Sequence, residues 1–129
     1  MPISINIIDS TYLLLQGKDI ISIADLIITN EYIYSEVAPA IAQFQLVDLS
    51  QATRFAVSSE DLHSIAEQDK SAAEDIGHLV VAIYAPKDLA FGLSRVWEVY
   101  AEAPGVETSV FRDYEAAHTW LLNMQAEAS

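Results

Sequence analysis

The sequence predicts one α/β domain on a five-stranded, mixed and mainly parallel sheet, in the order β-β-α-β-α-β-α-β-α. Three observations predict it. Short apolar runs with the two-residue period of a strand alternate with longer segments that carry a helical stripe. Leu79-Val80-Val81-Ala82-Ile83-Tyr84 is apolar without alternation, as in a strand buried on both faces. Glycine and proline fall between the segments, at Gly17, Pro39, Gly77, Pro86 and Pro104-Gly105. Strands alternating with helices imply a parallel sheet with right-handed crossovers.

Ile3, Ile5 and Ile7 alternate with Ser4 and Asn6, which predicts a half-buried first strand. Asp9-Ser10 is a turn, and Thr11 to Gln16 a second strand ended by Gly17, so the two form a hairpin. Asp19 is placed to cap a helix from Ile20 to Val37, closed by Pro39. Ile20-Ile21 and Ile27-Ile28-Thr29 favour strand there, but the length favours helix. Gln43 to Leu49 reads as the third strand. Ser58 opens the next helix with Asp61 as its capping-box acid; Leu62, Ile65, Ala66, Ala73 and Ile76 form the buried stripe, and Gly77 is the stop. Asp88 caps the following helix, with Leu89, Leu93, Val96, Trp97 and Tyr100 along one side. Val106 to Phe111 is the last strand. Asp113 caps the last helix, which turns Ala117, Trp120, Leu121 and Met124 inward.

The 129 residues fit a single domain that buries a core without staples, and no repeat or linker divides them. Hydrophobic residues make up 52% and charged residues 19%, a globular composition. Six Lys and Arg against 19 Asp and Glu give a net charge of −13. No basic stripe is present to offset phosphates, so the expectation is no nucleic-acid partner. The chain has no cysteine, which removes disulfides, thiolate nucleophiles and cysteine-based zinc sites. Met1-Pro2-Ile3-Ser4 has no basic region before an apolar stretch, so no signal peptide is expected. No apolar run reaches the roughly 20 residues of a membrane span, so the expected location is the cytoplasm, with no integral membrane segment.

Catalytic signatures are missing. Gly17, Gly77, Gly92 and Gly105 are too scattered for a phosphate-cradling loop or a dinucleotide fingerprint. His63, His78 and His118 share no ligand spacing, so neither a metal nor a cofactor is expected, and the three read as surface or rim residues. Ser59, Asp61 and His63 supply nucleophile, acid and base types, but residues two apart on a helix do not face each other. The expectation is no enzyme. Ser58 and Ser59 read first as capping residues and second as candidate phosphorylation sites, since a helix N-terminus favours added negative charge. Asp48, near the end of the third strand, is a candidate ligand acid, with acceptance of loop N–H bonds as the plainer reading.

The cations are the most informative polar residues. Lys18, Arg54, Lys87 and Arg112 follow the second to fifth strands, which puts them at one edge of a parallel sheet, and Arg95 is placed to reach back toward it. Together they are a candidate site for an anion or an acidic partner, against the alternative of local charge balance by Asp19, Asp88 and Asp113. Gly92 lets another element approach closely, and Arg95, one turn later, is expected to be partly buried and bonded to backbone carbonyls or to an acid such as Asp48.

Ala85-Pro86-Lys87-Asp88-Leu89-Ala90-Phe91-Gly92-Leu93-Ser94-Arg95, Val110-Phe111-Arg112-Asp113, Ala116-Ala117, Trp120-Leu121, Leu46-Val47-Asp48-Leu49-Ser50 and Ser59-Glu60-Asp61-Leu62 together resemble the SpoIIAA-like family, STAS relatives grouped with the SEC14-type fold and mostly uncharacterised bacterial proteins. The resemblance covers nearly the whole chain. It implies a SpoIIAA-like superhelix, with helices mainly on one face of a mixed five-stranded sheet, and no enzyme activity. It implies a regulatory or protein-interaction module; a carrier or sensor holding a small apolar or anionic molecule between helices and sheet is the alternative. Sporulation relatives are switched by phosphorylation of a serine at the helix start, where this chain has Ala56-Val57-Ser58-Ser59-Glu60 without the Asp and Gly of their switch. With helices on one face, the other face of Leu13-Leu14-Leu15 and Leu79–Tyr84 needs a cover, either the Ile20–Val37 segment or a second copy. The expectation is a homodimer burying more than about 1,000 Å².

Overall fold

The computed structural model describes residues 2–128. β1 (Ile3–Ile8) and β2 (Tyr12–Ser22) form an antiparallel hairpin; β3 (Phe44–Ala56), β4 (Leu79–Tyr84) and β5 (Val106–Phe111) add in parallel, in the spatial order β1-β2-β3-β4-β5. The helices are α1 (Ile23–Glu36), the short α2 (Pro39–Ala42), α3 (Ser59–Ile76), α4 (Asp88–Tyr100) and α5 (Tyr114–Ala128). Strands added in one direction by right-handed connections put every connecting helix on the same face. That is where α1, α3 and α4 pack, over Leu79, Val81 and Ile83, with α2 beside them over Leu13 and Leu15. α5 follows the last strand and is free of that constraint. It covers the opposite face, setting Ala117 and Leu121 against Phe44, Leu46, Val80 and Ala82. The cover sought for the second face is therefore α5, and α1 belongs to the first face.

The longest departure from the sequence reading lies between Gly17 and Ser22. β2 does not stop at Gly17; it runs on to Ser22 beside a β3 that continues to Ala56. Asp19 is no cap. It sits in the strand at φ 59°, where the β2–β3 register shifts, as at a bulge. The β-branched Ile20 and Ile21 keep the strand, and the cap is Ser22: its Oγ accepts the Asp25 N–H at 3.2 Å while Asp25 Oδ2 accepts the Ser22 N–H at 2.9 Å. Gly17 is buried in this ribbon, and a Cβ there would come within 3.1 Å of a Leu49 methyl. Ser50 to Arg54 reads as loop because it is polar, but it pairs with β2 alone and needs only a half-buried face.

Three other signals hold and one does not. Ser58 Oγ accepts the Asp61 N–H at 3.0 Å and Asp61 returns the bond to the Ser58 N–H at 2.8 Å, closing the box at the start of α3. Gly77 ends that helix at φ 89°, the left-handed conformation a glycine adopts without steric cost. Asp113 accepts the Ala116 N–H at 2.9 Å and caps α5. At α4 the residue outside the first turn is Lys87, with no side-chain cap; Asp88 is already helical and bonds Arg112 instead.

Candidate functional site

The three-helix face does not close completely. A helix stripe meets a sheet at about 10 Å, and three helices on a twisted sheet diverge from one another. Between the sheet and α1, α3 and α4 lies a cavity of about 130 Å³. Leu15, Val47, Val81 and Ile83 from the strands and Leu62, Ile65 and Leu93 from the helices wall it, with half-buried Leu26, Phe55 and Val57 toward the far end of the β2–β3 ribbon.

One end of this apolar space holds a charge. Asp69 on α3 is buried, and three side chains from two other helices donate to it. Asn30 Nδ2 and the Tyr34 hydroxyl reach Oδ1 at 3.0 and 2.7 Å, and Trp97 Nε1 reaches Oδ2 at 3.0 Å. Gln45 on β3 extends the chain of bonds, its Nε2 donating to the Tyr34 oxygen at 3.2 Å and to the Ala42 carbonyl at 2.9 Å. Burial raises the Asp69 carboxyl to about 6, against the opposing pull of the Tyr34, Trp97 and Asn30 hydrogen bonds. Burial and the Asp69 charge push the Tyr34 hydroxyl well above its usual value, so it stays a donor. The buried Ser94 also lines the cavity, and its hydroxyl makes no hydrogen bond among the described residues. None of these polar residues was singled out as a site from the sequence. Asp69 carried a signal nonetheless: it falls on the stripe of Leu62, Ile65, Ala66, Ala72 and Ala73, where a charge is out of place.

The cations do not make one cluster. Arg112 bonds Asp88 at 2.7 Å, lies 4.2 Å over the Phe91 ring, and sits by the start of α4 with Lys87. Lys18 and Arg54 lie up the ribbon; Arg54 is six residues past Asp48, where β4 pairing ends, about 20 Å along the strand. Arg95 is not buried as expected: its side chain is 60% exposed. The acid it pairs with is Glu98 at 3.2 Å, one turn along the same helix, rather than Asp48. Asp48 accepts the Ser50 N–H at 2.9 Å, which is the plainer of its two readings. Ser58 is occupied as a cap, and the exposed Ser59 hydroxyl meets the Tyr100 hydroxyl at 2.9 Å, joining α3 to α4. The histidines lie at the surface or rim: His63 by Glu67, His78 bonded to Glu107 at 2.8 Å, and His118 stacked on Tyr114. Among the described residues, no group of three His, Cys, Asp or Glu could hold a metal, and no helix is long and apolar enough to cross a membrane.

The outer side of α4 is unusual. Leu89, Gly92, Val96 and Val99 are spaced by three, four and three residues, which aligns them on one stripe, and all four are exposed. Leu89 and Val99 are 59% and 66% exposed. A Cβ built at Gly92 meets nothing within 4 Å, and the backbone there is ordinary helix.

No family model matches the chain, and no curated protein matches it. Solved structures do. An uncharacterized protein of the DUF3478 family with a SpoIIAA-like fold, from Shewanella loihica PV-4, is 22% identical with a TM-score of 0.54, over 92% of this chain and 91% of that one. The anti-sigma factor antagonist SpoIIAA in its unphosphorylated form is 7% identical with a TM-score of 0.59, over 92% of this chain and 96% of that one. The fold is SpoIIAA-like.

Proposed function

We propose that this chain is a non-catalytic, cytoplasmic regulatory module that acts through protein contact, and that the contact surface is the outer side of α4, paired with a second copy of the chain. Gly92 carries the reading. A glycine inside a helix costs about 0.5–1 kcal/mol relative to alanine. Nothing among the described residues requires one at Gly92, where the space beyond the backbone is open. A residue that weakens its own helix without an internal reason suits the close approach of another backbone, and it lies in the middle of an exposed apolar stripe.

The stripe is complementary to itself. An antiparallel crossing of two α4 helices at Gly92 sets Leu89 of each copy against Val96 of the other. The same crossing sets Asp88 of each against Arg95 of the other. Such a two-fold, isologous contact is the commonest way soluble chains pair. The homodimer thus rests on α4; the uncovered sheet face that first suggested it is occupied by α5. Ser59 is the better of the two candidate phosphorylation sites in this reading. Its hydroxyl is exposed, it touches Tyr100 at the flank of the stripe, and the α3 N-terminus favours added negative charge there.

Sedimentation at micromolar concentration tests this. The native chain is expected to run as a dimer, Gly92→Leu and Val96→Glu as monomers, and Ser59→Glu to shift the equilibrium toward monomer. Gly92→Ala is expected to be more resistant to heat as a monomer but to pair less tightly. A native chain with the mass of one copy, or a dimer indifferent to Gly92→Leu, overturns the reading.

A further inference from the structure

We propose that the cavity between the sheet and α1, α3 and α4 is a binding site for a small neutral molecule with an apolar body and one hydrogen-bond donor, of the size and kind of a simple phenol or a short branched alcohol. The inference goes beyond the pairing through α4 and does not depend on it.

Size sets the first limit. The cavity of about 130 Å³ is well below the roughly 300 Å³ at which drug-sized pockets begin. It is close to the roughly 150 Å³ of an engineered apolar cavity that stays dry and takes up benzene. Six or seven heavy atoms is therefore the expected occupant, a number reached by scaling from that example.

Chemistry sets the second. Empty cavities that occur as packing flaws are apolar throughout. This one is lined by a carboxylate and four more polar side chains, all at least nine-tenths buried: Asp69, Gln45, Ser94, Thr29 and Asn30 are 5%, 3%, 6%, 3% and 9% exposed. Asp69 Oδ2 accepts one bond, from Trp97, and a carboxylate oxygen has room for a second donor. Gln45 spends its amide nitrogen on Tyr34 and Ala42, and its Oε1 has no partner among the described residues. The unpartnered Ser94 hydroxyl stands on the α4 wall, on the same helix as Trp97. The free lone pair on Asp69 Oδ2 is an acceptor, and the Ser94 hydroxyl can serve as either partner, so a ligand that donates one hydrogen bond is suited. No Lys or Arg lines the cavity, so a carboxylate or phosphate ligand meets no compensating cation there and faces the Asp69 carboxyl instead. Of the two occupants considered from the sequence, the apolar one fits this lining better than the anionic one.

The cavity runs on toward Leu26 of α1 and toward Phe55 and Val57, where the β2–β3 ribbon projects beyond β4.

The experiment titrates the native chain with phenol, benzene and benzoate at pH 7.5, following the Trp97 indole N–H resonance and the melting temperature. Phenol is expected to shift that resonance in a saturable way and to raise the melting temperature by a few degrees. Benzene is expected to bind about tenfold more weakly, and benzoate not at all. Ser94→Leu, which fills the cavity and removes a polar handle, is expected to abolish the phenol shift. The indole signal of the native chain decides the matter even if that variant fails to fold. A phenol response no stronger than that of benzoate, or an unmoved Trp97 signal up to the solubility limit, overturns the proposal. Both readouts are independent of chain mass, so failure here leaves the α4 pairing standing, and loss of the pairing leaves the cavity.

Discussion

The two faces of one sheet solve the same burial problem differently. Along β4, Leu79, Val81 and Ile83 point to the three-helix layer and Val80 and Ala82 to α5, so the residues are equally apolar on both sides. On the α5 side a single helix suffices because aromatic rings widen its reach: Tyr114 packs edge-on against Tyr84, Trp120 against Phe111, and His118 joins Tyr12 at 3.3 Å. On the other side three helices must meet each other as well as the sheet, and the gap among them holds the cavity and its buried acid. A face closed by one helix has one interface to perfect. A face closed by several leaves a junction, and a junction is where polar groups and ligands find room.

The largest effect is expected on the α5 face. Leu121 is fully buried there, under Phe44, Leu46 and Val80. Leu121→Ala should lose about 3–5 kcal/mol, the usual cost of truncating a fully buried leucine in a packed core. Urea denaturation measures it. A loss under about 1 kcal/mol would show that α5 is loosely docked, and the contrast between the faces would fail.

Much of this architecture is legible in the residues. The unbroken apolar run of β4, the Ser58–Asp61 box, the stop at Gly77 and the Asp113 cap all act within a few residues of chain, so the sequence shows them directly. The β2–α1 boundary is not legible locally: Asp19, read as the cap, lies in the strand, and the cap is Ser22, three residues on. What decides between them is pairing with a strand thirty residues further on. The cavity is half legible. Asp69 stands out on the stripe of α3, but its donors come from α1 and α4, and no local pattern says that Asn30, Tyr34 and Trp97 converge on it. The cations mislead for a related reason: following a strand places a residue at an edge only if the strand ends there, and β2 and β3 do not end where their apolar runs do.

A second, smaller effect separates the faces by pH. Asp69→Ala leaves three buried donors without their acceptor, at about 1–3 kcal/mol each, but also removes a carboxylate whose burial is itself unfavourable. The net loss at pH 7 is expected to be about 2–4 kcal/mol. The sign of the pH dependence follows from the raised carboxyl. With a folded value of about 6 against an unfolded one near 4, the folded chain binds the extra proton between those limits. The Asp69 contribution is therefore fully favourable below about pH 4 and is lost as the pH rises through 6, on the order of 2–3 kcal/mol in all. Asp69→Asn should flatten that slope relative to the native chain, whereas Leu121→Ala should keep it. Identical slopes in the native and Asn forms would mean that Asp69 is not the titrating group of this face.

The smallest effect belongs to the outer surface of the three-helix layer. Arg95 is 60% exposed, and its partner Glu98 also accepts the Thr108 hydroxyl at 2.9 Å, so the carboxylate is not left unpaired when the guanidinium goes. An exposed ion pair one turn apart on a helix stabilises by about 0.5 kcal/mol or less. Arg95→Ala should therefore move the melting temperature of the isolated chain by no more than about 2 °C, the shift expected for half a kcal/mol in a domain of this size. The pairing of two copies should respond differently, because Arg95 then faces Asp88 of the other chain across the Gly92 crossing. A dissociation constant raised severalfold, with the monomer melting unchanged, separates a residue that serves the contact from one that serves the fold. A large drop in monomer melting would restore Arg95 as a tether and move the functional reading away from the outer side of α4.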